Sequence, residues 1–149
     1  MWYRQCQFIG GTTLRLLAAT DIALRLLMRL SAEPGRRRSA EDLALAVGVP
    51  RNHVHKIIQD LAAAGLVRTR RGAGGGVELA AAPAAIRLGE VVRRFEAGQA
   101  LVECFRPDGG ACCLSPDCRL KGVLGQARQA FLARLDATTL ADCLPLPAA

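Results

Sequence analysis

Six cysteines occur in this 149-residue chain, and four of them, Cys104, Cys112, Cys113 and Cys118, fall between residues 104 and 118. The same stretch holds Pro107, Asp108, Gly109, Gly110, Pro116 and Asp117. Proline and glycine at that density keep a segment out of helix and sheet, and an irregular loop lets several thiolates turn toward one point. Convergent thiolates are what a metal ion or an iron–sulfur cluster requires. Seven residues separate Cys104 from Cys112, five separate Cys112 from Cys118, and four separate Cys113 from Cys118. None of these is the C-x2-C pair of a zinc ribbon or finger, and neither ferredoxin spacing is matched. Adjacent cysteines rarely both ligate one ion without strain. Three ligands are therefore expected, with Cys112 or Cys113 spare, and a cubane would need a fourth ligand from outside the loop. The competing reading is a loop of buried or disulfide-paired thiols. Disulfide frameworks belong to short secreted chains, and the N-terminal region does not read as a leader, because Arg15, Asp21, Arg25 and Arg29 break the apolar run that begins at Leu14. The expectation is a cytoplasmic protein with no membrane association.

A loop of this kind has to be held by a fold. Apolar residues make up 51% of the chain, enough for a real core in one domain, or a domain with an appendage. The net charge of +7 is almost wholly arginine, since Lys56 and Lys121 are the only lysines. Arginine suits phosphate contact, but an arginine-rich composition also follows from codon bias, so charge alone does not establish a nucleic-acid partner.

Residues 1–13 show no period and read as a loose extension in which Cys6 is a free thiol. A helix is expected from Thr20 as cap, with Asp21 in its first turn, Ala23, Leu26, Leu27 and Leu30 on the core face, and Asp21, Arg25 and Met28 opposite. It stops at Glu33-Pro34-Gly35, and Arg36-Arg37-Arg38 follows as a basic loop, solvated or touching phosphate. Ser39-Ala40-Glu41-Asp42 signals a capping box, Gly48 ends that helix, and Pro50 suits the first turn of the next. In that next helix Val54, Ile57, Ile58 and Leu61 make one stripe. Arg51, Asn52, His53, His55, Lys56 and Gln59 remain for the other side, an array of hydrogen-bonding groups that reads as the recognition helix of a helix-turn-helix. His53 and His55 have the wrong spacing to share a metal on one helix face. Two strands, 66–70 and 77–79, flank the glycine-rich tip 71–76. No Gly-Lys-Ser/Thr follows, so the tip is not a nucleotide loop; as a wing, its glycines, Gly74 among them, let the backbone approach a minor groove while Arg70 and Arg71 meet phosphates. Leu88, Val91, Val92 and Phe95 mark a helix through Glu96. Arg119 to Asp136 form a long helix with Leu120, Val123, Leu124, Ala127 and Phe131 on one face, more apolar surface than so small a chain can cover; pairing with a second copy is the natural solution. A short helix at 138–142 leaves Cys143 as packed apolar surface. The fold expected is mainly α with a small β-hairpin wing: extension 1–13, winged helix-turn-helix 14–83, linking helix 84–103, cysteine loop 104–118, dimerisation helix and tail 119–149.

This order of parts resembles the Rrf-type winged-helix iron–sulfur repressors, and among them the nitric-oxide-sensing kind. The resemblance runs from about Leu14 to Leu144. It is carried by Thr-Asp-Ile-Ala-Leu-Arg-Leu-Leu-Met at 20–28, Pro-Arg-Asn-His at 50–53, Arg-Gly-Ala-Gly-Gly-Gly at 71–76, Leu-Gly-Glu-Val-Val-Arg at 88–93, Leu-Val-Glu-Cys-Phe at 101–105, Cys-Arg-Leu-Lys-Gly-Val-Leu at 118–124 and Thr-Leu-Ala-Asp at 139–142. It implies cluster ligands at Cys104, Cys112 and Cys118, the five-residue gap selecting Cys112 over Cys113, with Asp21 of the partner subunit as the fourth. The implied cofactor is a 4Fe–4S cluster ahead of a 2Fe–2S one. Sibling regulators of cluster assembly with a 2Fe–2S centre carry a histidine three residues after the last cysteine, where Lys121 stands here. The function implied is a homodimeric repressor on a pseudo-palindromic double-stranded DNA operator, released when nitric oxide reaches the cluster. A cluster-assembly regulator, a zinc-stabilised regulator and a thiol switch are the alternatives; no acid/base pair or substrate motif points to an enzyme.

Overall fold

The structure, a computed structural model, describes residues 15–112 and 117–145. The chain runs α1 (Ala18–Ser31), α2 (Ala40–Val47), α3 (Arg51–Ala63), β1 (Val67–Arg70), β2 (Gly76–Leu79), α4 (Leu88–Phe95) and α5 (Arg119–Asp136), with single 3-10 turns at Pro83–Ala85, Glu103–Phe105 and Ala141–Cys143. It is the expected mainly helical architecture with a two-stranded antiparallel wing.

The apolar stripes do what their spacing dictates. Ala23, Leu26, Leu27 and Leu30 of α1 meet Leu43 and Val47 of α2 and Val54, Ile57, Ile58 and Leu61 of α3 in one core. The Ser39 capping box forms in full, Asp42 N–H donating to Ser39 Oγ at 3.0 Å and Ser39 N–H to Asp42 Oδ2 at 3.4 Å. Gly48 takes the left-handed conformation that ends α2. Pro50 is the N-cap of α3 rather than a residue of its first turn.

The start of α1 departs from the sequence reading. The helix begins at Ala18, and Thr20 is fully buried inside it instead of capping it. The capping acceptor comes from Glu96, just past the end of α4: its Oε1 receives Leu17 N–H at 2.8 Å and the Thr20 hydroxyl. A carboxylate there satisfies an orphan amide at the helix N-terminus from a distance of 79 residues in sequence.

The wing has a third, one-bridge strand. Arg38 and Val77 exchange both backbone hydrogen bonds, at 3.0 and 2.8 Å. Gly76 permits this approach, since a Cβ there would lie 2.8 Å from the Arg38 carbonyl oxygen and 3.2 Å from Arg37 Cβ. The arginine run is thus bridged to the wing, with Arg36 and Arg37 still exposed and Arg38 partly buried. Arg36 and Arg38 pair with Glu33, and Arg37 with Glu78. The Arg36 contact lowers the Glu33 carboxyl below its ordinary range.

The far end of α5 returns to the core. Leu140 is fully buried and its N–H donates to the Ile86 carbonyl at 2.8 Å; Leu88 N–H donates to Thr138 O at 3.0 Å. Arg93 grips Asp136 bidentately, at 2.9 and 2.6 Å. Along α5 itself no residue is buried, and Leu120, Val123 and Phe131 stand exposed. Cys143 is exposed as well, contrary to the packed position expected, because the 3-10 turn that carries it leaves Leu140 alone to fill the core.

Candidate cluster site and nucleic-acid interface

From the end of α4 to residue 112 the chain is irregular apart from the turn Glu103–Phe105, and polar side chains tie residues 103–111 together. Arg106 donates Nη1 to Glu103 at 3.1 Å and Nε and Nη2 to Asp108 at 3.1 and 2.8 Å. Gly110 N–H completes the Asp108 contacts at 3.0 Å. The Arg106 bonds, with the Gly110 amide second, hold the Asp108 carboxyl below its usual range. Ala111 N–H reaches Glu103 at 3.4 Å, folding 106–111 back over the turn that carries Cys104. Sequence reasoning passed over this Glu103–Arg106–Asp108 network; the Arg-Pro-Asp-Gly-Gly run was its only signal.

Cys104 lies in the 3-10 turn, Cys112 follows the fold-back, and Cys118 is the N-cap of α5. All three thiols are half-buried and free of disulfides. As a donor set, three half-buried thiols on one segment fit an iron–sulfur cluster chemically. Geometrically, no group of three metal-ligating side chains is assembled among the described residues. Cys113, the rival of Cys112, and Cys6 lie outside the described residues. Asp21 sits in the first turn of α1, about half exposed and ion-paired to Arg25 at 2.6 Å, pointing away from its own core.

On α3, burial of Val54, Ile57, Ile58 and Leu61 leaves Arg51, Asn52, His53, His55, Lys56 and Gln59 exposed. Arg51 Nε donates to His55 Nε2 at 3.2 Å, and its Nη1 lies 3.9 Å from Glu41. At the wing, Arg70 ends β1, and Arg71 and Gly74 are exposed in the tip. The structure therefore presents two convex, basic, hydrogen-bonding features, a helix face and a hairpin tip, built on one core: a geometry for reading duplex DNA. No helix among the described residues is long and apolar enough to cross a membrane.

Comparison with known proteins supports this geometry. Residues 16–145 match the Rrf2 family, described as iron-dependent transcriptional regulators. The HTH-type transcriptional regulator NsrR of Geobacillus kaustophilus (strain HTA426) is 42% identical over 132 residues, 88% of this chain and 90% of that one. NsrR of Bacillus subtilis (strain 168) is 42% identical over 130 residues, covering 87% and 89%. Among solved structures, CymR (YrzC), the global cysteine regulator of B. subtilis, superposes with a TM-score of 0.72 at 25% identity, over 87% of this chain and 95% of that one. T. potens IscR gives 0.71 at 25% identity, over 89% and 88%.

Proposed function

The chain belongs to the Rrf2 family of iron-dependent transcriptional regulators, and from that premise we propose that it is a cytoplasmic, homodimeric repressor that releases its operator in response to nitric oxide. DNA binding, not catalysis, is its work. The observation that carries the finer reading is the segment 104–118, where three free, half-buried thiols stand between the helix that closes the core and the helix whose apolar face is uncovered. The nitric-oxide-sensing repressors it resembles, and the NsrR name of its relatives, agree with it.

In this reading Cys104, Cys112 and Cys118, with Asp21 of the partner subunit, would hold a 4Fe–4S cluster, which when bound supplies the site where nitric oxide reacts. The remaining work falls to the chain. Leu120, Val123 and Phe131 of α5 cover their counterparts in the second copy. Recognition helices enter successive major grooves of a pseudo-palindromic operator, about one helical turn or ~34 Å apart, with wings in the flanking minor grooves. Asn52 and His55 read base edges; Lys56, Arg70 and Arg71 take phosphates; Gly74 lets the tip close on the backbone, while Arg51, His53 and Gln59 complete the contact face. Asp21 is rigidly joined to this reading head, because its helix shares one core with α2 and α3. Engaging Asp21 across the dimer, in place of its pair with Arg25, therefore sets the separation of the two heads, and releasing it lets them shift.

The test is the visible absorption and iron content of anaerobically purified protein, followed by operator binding before and after nitric oxide. A coloured, iron-containing dimer that leaves DNA on exposure is expected. Colourless protein with stoichiometric zinc would overturn the cluster reading.

A further inference from the structure

The wing carries a single acid. From Val67 to Leu79 the charged residues are Arg68, Arg70, Arg71 and Glu78. Glu78 stands between cations on both sides. In the β1–β2 register it is directly opposite Arg68. On its other flank its carboxylate faces Arg37, with Nε at 3.3 Å and Nη2 at 3.5 Å. Arg37 is brought there by the Arg38–Val77 bridge and lies against Gly76, the residue that pairs with Arg70. Arg37 is therefore continuous with the basic strip of the wing tip. Arg36 and Arg38 are engaged by Glu33, so Arg37 is the one cation of that run whose counter-ion sits on the wing. Its ion pair is long, and its side chain remains 35% exposed.

We propose that Glu78 is a specificity-determining residue: it restrains Arg37 from sequence-indifferent phosphate contact and yields it only when the wing is seated on the operator. The proposal rests on the DNA-binding reading above. Sequence-indifferent binding is almost entirely electrostatic and scales with the cations that neutralise phosphates. A guanidinium already paired adds little to a loose encounter, because its carboxylate must first be displaced. Once α3 is seated in the major groove, the wing root lies beside flanking phosphates, and the guanidinium can exchange carboxylate for phosphate with good directional geometry. Arg68, across the ladder, is in place to take the released carboxylate, so the exchange leaves no acid alone in a basic strip.

The experiment uses the full-length dimer and two duplexes of equal length, one selected by the protein from a random pool and one with that sequence scrambled. Fluorescence anisotropy across a salt series gives affinity and slope for each. Glu78→Gln should raise affinity for the scrambled duplex about threefold to tenfold and steepen its log–log salt slope by about 0.9 per subunit, with the selected duplex changed less than about twofold. Arg37→Gln alone should weaken only the selected duplex, and Arg37→Gln with Glu78→Gln should return the scrambled duplex to wild-type affinity. Glu90→Gln, the same charge change on exposed α4, should leave the ratio of the two affinities unaltered. An equal rise on both duplexes, the same effect from Glu90→Gln, or no suppression by Arg37→Gln would overturn the proposal. The Arg37→Gln arm decides the matter even if Glu78→Gln disturbs the wing. Wild-type protein that selected no sequence at all would instead remove the DNA-binding reading.

Discussion

Gly89 is where the long C-terminal helix rests on the helix that closes the core, and Gly89→Ala tests that joint. A Cβ at this position would overlap Asp136 Oδ1, approach its Cγ to 2.8 Å, and lie 3.0 Å from its main-chain nitrogen. Ordinary contact begins beyond about 3.4 Å, so the carboxylate must swing away and lose its two bonds to Arg93, at 2.9 and 2.6 Å. Overpacking of this size costs about 1–3 kcal/mol, offset by about 1 kcal/mol from replacing glycine with alanine in a helix. The expected net loss is about 0–2 kcal/mol, or a fall in Tm of up to roughly 8 °C at 2–4 °C per kcal/mol. The sharper readout is a double-mutant cycle with Asp136→Ala, which removes the two side-chain atoms that clash. In that background the helix-propensity term acts against only the 3.0 Å main-chain contact, and Gly89→Ala should become neutral or stabilising, giving a coupling of about 1–3 kcal/mol by urea or thermal denaturation. Equal effects of Gly89→Ala in both backgrounds would show that α5 does not bear on α4 through Asp136.

On DNA, Lys56→Ala or Arg70→Ala should weaken binding to all sequences and reduce the salt slope by about 0.9 per subunit, whereas Asn52→Ala or His55→Ala should relax base preference by about 1–3 kcal/mol at one position per half-site; footprints on operator variants separate the two classes, and unchanged affinity in all four would place the reading surface elsewhere. Cys104→Ala, Cys112→Ala and Cys118→Ala should each give colourless protein that no longer represses. Cys113→Ala, Cys6→Ala and Cys143→Ala should keep both colour and repression, and Asp21→Ala should keep colour with weakened operator binding; bleaching by Cys113→Ala but not Cys112→Ala would shift the ligand register by one. Acid should loosen the end of α5. The Asp136 carboxyl is lowered chiefly by its hydrogen bonds from Arg93, and the Asp142 carboxyl by the Thr139 N–H at 2.8 Å and then its hydroxyl at 2.7 Å. A carboxyl depressed on folding stabilises above its unfolded pKa, about 3.9, and that stabilisation is lost as pH falls through the folded value. Urea midpoints should drop below about pH 4 in the wild type, and Asp136→Asn with Asp142→Asn should flatten that part of the profile.

Most of the fold was legible because its signals are local. The stripe Val54, Ile57, Ile58, Leu61, the Ser39–Asp42 capping box, the left-handed glycine after α2 and the glycine-rich hairpin each need only neighbours within a turn or two; the first three are where the sequence put them, and the hairpin strands, Val67–Arg70 and Gly76–Leu79, differ by one residue from the expected 66–70 and 77–79. The exposed face of α5 was legible for the same reason, since an apolar stripe longer than the available core can be counted from the chain alone. The cysteine segment was legible as a concentration of thiols; Cys104, Cys112 and Cys118 stand half-buried and free, and no group of three metal-ligating side chains is assembled among the described residues.

What the tertiary structure decided are the partners of charged groups, which periodicity does not encode. The run Arg36–Arg38 is indistinguishable in sequence from a solvated basic loop. Folded, it is bridged to β2 at Val77 and its guanidinium groups are committed to Glu33 and Glu78. Thr20 reads as a cap, but the cap is the carboxylate of Glu96. Asp136 reads as a helix-ending acid, but it takes Arg93 over a glycine 47 positions earlier in the chain. Local spacing determined which elements form, because a helix or hairpin is selected by torsions and by one apolar face. The fold alone decided which acid each arginine of the run Arg36–Arg38 faces, because ion pairing depends on distances of a few ångströms between side chains that spacing does not fix.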